Sequence, residues 1–208
     1  QKVLDTDELF QTEDVEIRGT FYKAFNKVPA DLKELLDYGK TVREWEEFIV
    51  YEKEKISYLD FCNQVSKLSS FLQNEVGIKK GDKVAIAMRN YPEYLAILMA
   101  VASIGGIVVF VNAWWTTEEM EYGFDDSTAR VCFADKERLA TIKPFAKKKS
   151  IRLFSVRCKD DSEIEKYDDI LNNFERVDLV DVDLKPDDDF AIMYTSGSTG
   201  NPKGVVLT

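Results

Sequence analysis

The sequence predicts an α/β fold, a mainly parallel sheet with helices on both faces, preceded by an N-terminal arm over residues 1–55. Three observations predict it. Strand-like runs alternate with helical segments of 7 to 14 residues, the rhythm of right-handed crossovers. One run, residues 84–88, is apolar throughout and bounded by charge, as a strand covered on both faces must be. Ser57, Pro92 and Thr116 stand where helices should begin.

Residues 1–30 lack sustained periodicity and read as an arm lying on a larger body. In residues 31–38, Leu32, Leu35 and Leu36 share a helical face, with Gly39 as the expected stop. Residues 48–51 read as a short strand, with Ile56 in its hairpin partner. From residue 56 to 208 the α/β subdomain follows. Ser57 caps a helix that places Phe61, Val65, Leu68 and Leu72 at core spacing until Gly77 ends it. Gly81-Asp82 turns the chain into the apolar strand 84–88. Pro92 opens the next helix, where its missing N–H costs nothing. A strand at 107–111, a capping box from Thr116 to Glu119, a strand at 130–134, a helix at 135–148 and a strand at 151–156 continue the pattern. A short helix at 168–174 and a strand at 190–194 complete it.

Of the 208 residues 45% are hydrophobic, enough for a sizeable core, so whole-chain disorder is excluded. The net charge of −10 would repel a phosphate backbone, and a sequence-independent nucleic-acid binder is not expected. All of that excess lies in residues 160–189, with thirteen acidic side chains against three basic ones, and reads as solvated faces and connectors. The absence of histidine excludes His-based acid–base catalysis and His metal ligation within the chain. Cys62, Cys132 and Cys158 are too scattered for a zinc site or a disulfide framework and fit a reducing compartment. Residues 94–117 carry no charge, but Gly105-Gly106 interrupts them. They read as a buried helix and a buried strand rather than a transmembrane segment. With no signal peptide in view, an intracellular, cytoplasmic protein is expected, with peripheral membrane association left open.

Sheets of this kind bind ligands beyond the carboxyl ends of their strands. There the sequence reads Thr195-Ser196-Gly197-Ser198-Thr199-Gly200-Asn201-Pro202-Lys203-Gly204. Glycines let backbone amides turn toward an anion, hydroxyls add neutral donors, and Lys203 brings a positive charge, so a polyphosphate is the expected guest. A Walker A loop is disfavoured, because Pro202 and Gly204 stand where that pattern needs Gly and Ser or Thr. The alternative is a flexible Ser/Gly hairpin or linker, which seldom follows an apolar strand and closes on Pro-Lys-Gly with Val205 resuming at once.

Tyr194 to Gly204 resembles the signature phosphate loop of the adenylate-forming, AMP-binding superfamily of acyl-CoA synthetases, aryl-CoA ligases and luciferases. Weaker matches precede it in order: Gly77 to Ala85, Asn90-x-Pro92-Glu93, Gly105-Gly106, Asn112-Ala113-Trp114-Trp115-Thr116-x-Glu118-Glu119, and Asp188-Asp189. The resemblance covers residues 30–208 and implies the N-terminal part of a ligase. It implies that a carboxylate is activated with ATP and Mg²⁺ as an acyl-adenylate, then passed to coenzyme A. By that resemblance Thr195, Ser196, Ser198 and Thr199 are hydroxyl donors to the phosphates. Gly197 and Gly200 permit close approach, and Lys203 is the counter-charge. No catalytic residue is assigned within this stretch and metal ligands are left open. Asp187, Asp188 and Asp189 are considered for magnesium but lie at the wrong end of the strand and read as solvated. The Asn-Ala-Trp-Trp segment looks most like members that activate fatty or other hydrophobic acids, although Trp114 and Trp115 by themselves read as packing residues. The stretch alone is expected to be inactive; a non-catalytic scaffold and a carrier-protein or oxygen acceptor remain as alternatives.

Overall fold

A computed structural model describes residues 10–29, 31–158, 162–175, 179–195 and 200–208. Its centre is a seven-stranded sheet in the order β11-β10-β6-β5-β7-β8-β9. The strands are β5 (Lys83–Ala87), β6 (Ile107–Phe110), β7 (Val131–Asp135), β8 (Arg152–Val156), β9 (Glu165–Lys166), β10 (Ala191–Thr195) and β11 (Lys203–Leu207). Every neighbouring pair is parallel except β10 with β11. The chain starts at β5, moves to β6, then returns past β5 to β7, which puts the reversal of direction beside the central strand.

Both faces are covered, as the continuous apolar runs require. On one side α2 (Tyr58–Phe71), α3 (Pro92–Ser103) and α6 (Tyr167–Asn173) pack on Val84, Ile86, Phe133 and Phe154. On the other, α4 (Thr117–Ser127) and α5 (Lys136–Ala146) pack on Ala85, Ala87, Val109, Cys132 and Ala134. The period of two along each strand divides these sets cleanly. The caps behave as read: Ser57 accepts from Asp60 N–H, Pro92 opens α3, and Thr116 and Glu119 close a complete capping box. Gly77, in the left-handed region, closes the π turn that extends α2. The uncharged stretch is α3 followed by β6. No helix among the described residues is long and apolar enough to cross a membrane.

The arm holds a hairpin that its sequence did not suggest, and the stop expected at Gly39 fails. Within the arm, β1 (Thr12–Ile17) and β2 (Thr20–Phe25) form an antiparallel hairpin whose turn, Arg18-Gly19, has φ of 49° and 79°. That pair of positive φ values is the primed hairpin geometry, carried here by an Arg-Gly step. Gly39 does not stop its helix: α1 runs Leu32–Arg43. A Cβ on Gly39 would lie 3.0 Å from the Tyr58 ring, so the glycine provides a close helix-to-helix approach rather than a cap. The hairpin β3 (Glu47–Tyr51) and β4 (Glu54–Ser57) forms as read.

Candidate phosphate-binding site

The site lies at the carboxyl rim of the sheet, where β10 ends. β10 pairs in parallel with β6 through Ala191, Ile192 and Met193, and that ladder stops at Met193 opposite Phe110. Tyr194 and Thr195 extend beyond it, paired only with β11, through Gly204 and Lys203. Thr195 and Lys203 therefore face one another across the base of the loop, and the Thr195 hydroxyl points to the Lys203 carbonyl at 3.5 Å. Gly200 has φ of 130°, in the region that favours glycine, with nothing within 4 Å of where a Cβ would stand. The structure thus brings Thr195, Gly200 and Lys203 to one rim. Ser196, Gly197, Ser198 and Thr199 lie outside the described residues.

The arrangement differs from a strand-to-helix phosphate loop. The loop joins two antiparallel strands rather than a strand and a helix. The ammonium of Lys203 makes no ion pair among the described residues.

Below the loop, the Tyr194 phenol donates to Asp126 Oδ2 at 2.7 Å and lies 3.2 Å from the Gly123 carbonyl oxygen. Burial, and then the bond to Asp126, push its pKa up. Trp115 meets the Tyr194 ring edge-on at 5.2 Å. The packing reading therefore holds for Trp115 and fails for Trp114, which is 82% exposed. Trp114 follows a tight bend in which its N–H bonds Asn112 Oδ1, and the Arg138 guanidinium lies 5.7 Å from its ring centre.

A buried ion pair that the sequence did not announce steadies the same rim. Asp135 caps α5 and accepts from Arg138 N–H, the Arg138 guanidinium and Arg89 N–H, while Arg138 Nε donates to the Ala113 carbonyl at 2.9 Å. The loops after β5 and β6 are tied to the start of α5 through two side chains that are each 4% exposed. The helix start at Asp135 was legible; nothing local marked Arg138 as buried.

The aspartates ahead of β10 lie beyond its amino end, and the strand alone, about 13 Å long, separates them from Thr195. Asp188 pairs with Lys80 and Asp189 with Arg18, so they are engaged by this chain rather than merely solvated. Among the described residues no three Asp, Glu or Cys side chains converge to hold a metal ion. A cavity of about 450 Å³, lined by Leu32, Ala102, Leu184 and Phe190, opens at that same amino end, away from the loop.

With this geometry in place, comparison with known proteins is decisive. The AMP-binding enzyme family matches residues 40–208. The chain belongs to that family. It is similar to a 2-succinylbenzoate–CoA ligase of Bacillus cereus (strain Q1), 28% identical over 160 residues, covering 77% of this chain and 29% of the relative. A feruloyl-CoA synthase of Amycolatopsis sp is 30% identical over 153 residues, covering 74% of this chain and 28% of the relative. The chain thus spans less than a third of the length of these AMP-binding relatives. Its fold is that of the anthranilate CoA ligase AuaEII in complex with anthranoyl-AMP, with a TM-score of 0.78 at 19% identity over 86% of this chain and 35% of that one. The N-terminal domain of FACL13 from Mycobacterium tuberculosis gives a TM-score of 0.70 at 24% identity, over 86% of this chain and 44% of that one. The expected fold, the N-terminal subdomain of an adenylate-forming enzyme, is the one found.

Proposed function

We propose that the protein is an ATP-dependent, AMP-forming carboxylate–CoA ligase, and that this chain supplies its phosphate-binding loop. The observation that carries the reading is the juxtaposition of Thr195, Gly200 and Lys203 at the carboxyl rim of a family-matched sheet. In this reading the ammonium of Lys203 and the hydroxyls of Thr195, Ser196, Ser198 and Thr199 grip the β and γ phosphates of ATP. Gly197 and Gly200 leave room for backbone amides to approach. Magnesium bound with the nucleotide would spread the charge of the departing pyrophosphate; this chain's contribution is to hold and orient the phosphates. Positioning and charge neutralisation dominate such transfers, so the lack of histidine in this stretch is no obstacle.

The acid is an apolar one. Similar relatives are named for succinylbenzoate and ferulate, which supports an aromatic acid as strongly as the fatty acid suggested by the Asn112 to Trp115 segment. Three free, buried cysteines support a reducing, intracellular setting.

The test is carboxylate-dependent exchange of pyrophosphate into ATP by the full-length protein, across aromatic, medium-chain and long-chain acids. Exchange with at least one apolar acid is expected, and a complete lack of it overturns the reading. Lys203→Ala should raise the KM for ATP about tenfold or more, the loss of one charge-assisted contact. Residues 1–208 alone, whose aligned part covers 29% of the relative, should show no exchange.

A further inference from the structure

We infer that Tyr194 is a positioning residue for the phosphate loop: its phenol, fixed by Asp126 and by the edge of Trp115, sets the direction in which the chain leaves the sheet at Thr195. The inference rests on the ligase reading for its kinetic consequence and on geometry alone for its structural one.

The parallel ladder to β6 ends at Met193, so the last two residues of β10 lack backbone support on that side. On the face of Met193 the hairpin is open, with Met193 and its register partner Val205 at 47% and 44% exposure. The opposite face carries Ile192 and Tyr194, and there the support is side-chain. The Tyr194 hydroxyl reaches 68 residues back in sequence to Asp126 and also lies near the Gly123 carbonyl, both on α4. That helix is a firm anchor, closed by its capping box and seated by Met120 and Phe124, each 1% exposed.

Two glycines make the contact possible. A Cβ on Gly123 would stand 2.6 Å from the Trp115 ring, so only glycine lets the indole reach the place where Tyr194 leans on it. A Cβ on Gly204 would lie 3.0 Å from Ile192 Cγ2 and 3.4 Å from Tyr194 Cε1, so β11 also rests closely on this side of the hairpin. Tyr194 is thereby boxed by α4, the loop after β6 and β11.

In the full-length enzyme, Tyr194→Phe deletes only the hydroxyl. The KM for ATP should rise about three- to tenfold, with kcat within about twofold and the KM values for acid and coenzyme A unchanged, the size of one lost hydrogen bond. Asp126→Ala should reproduce this, Asp126→Asn should restore nearly wild-type values by keeping an acceptor, and the double variant should be no worse than either single one. An unchanged KM for ATP, or a parallel rise in all three KM values, overturns the inference. Amide hydrogen exchange across residues 195–203, read without ligand, separates the two proposals: it should quicken in Tyr194→Phe. If the wild-type enzyme shows no ATP exchange the ligase reading fails, while unaltered amide exchange removes the anchor whatever the enzyme does.

Discussion

The β1–β2 hairpin and the seven-stranded sheet are built from similar residues under opposite conditions. In the hairpin, Phe21, Tyr22 and Phe25 are 70%, 53% and 45% exposed, and its turn is tied down by Arg18, which bonds Asp189 and the Asp187 carbonyl. In the sheet, Phe133 and Phe154 are fully buried and stack at 4.8 Å. Two strands alone cannot bury either face, whereas a sheet with helices on both sides buries both. Aromatic content therefore says little about stability until the layer above it is known. Phe133→Ala should cost about 3–5 kcal/mol in urea unfolding, while Phe21→Ala should stay within about 0.5 kcal/mol. Comparable losses at the two positions would break the contrast.

Within the sheet, the rim can be set against the core. Rim loops are usually the loose part of an α/β domain, yet here Asp135 and Arg138 draw two of them onto the start of α5, out of water. A buried pair adds little over an apolar replacement, but removing one member leaves the other charge stranded. Asp135→Ala also removes the cap of α5, and should cost about 3 kcal/mol by chemical denaturation. A loss under about 0.5 kcal/mol would place this rim in the same class as an exposed surface.

That contrast also sorts what the sequence made legible. Strands β5, β7 and β8 were readable as apolar runs set between charges, β6 as an apolar run after Gly105-Gly106, and the helices because Ser57, Pro92 and Thr116 act locally. The β1–β2 hairpin was not, since Thr12, Glu13, Asp14 and Glu16 break any alternation and its Arg-Gly turn is an uncommon choice. Gly39 misled because a glycine that permits close packing looks the same in sequence as one that ends a helix. For the site, the loop was legible from composition alone. Its supports, Asp126 under Tyr194 and Arg138 under Ala113, come from 68 and 25 residues away, a distance at which no local pattern speaks.

The β3–β4 hairpin lies between the two extremes and offers the smallest effect. Arg157 holds it to the sheet, forking onto Glu54 at 2.8 and 2.6 Å, bonding Glu93, and lying about 5 Å from the ring centres of Tyr51 and Tyr91. The hydrogen bonds from Arg157 hold the Glu54 carboxyl below its ordinary pKa of 4.5. A depressed carboxyl contributes stability that is fully present above its unfolded value and fades as pH falls through its folded one. Glu54→Gln should therefore be less stable than wild type at pH 7, by little because Glu54 is half exposed, and the difference should close as pH falls below about 4.5. Urea unfolding of both proteins between pH 7 and pH 3 reads it directly. A gap that persists undiminished in acid would mean that packing against Tyr51 and Tyr91, rather than charge, seats the hairpin.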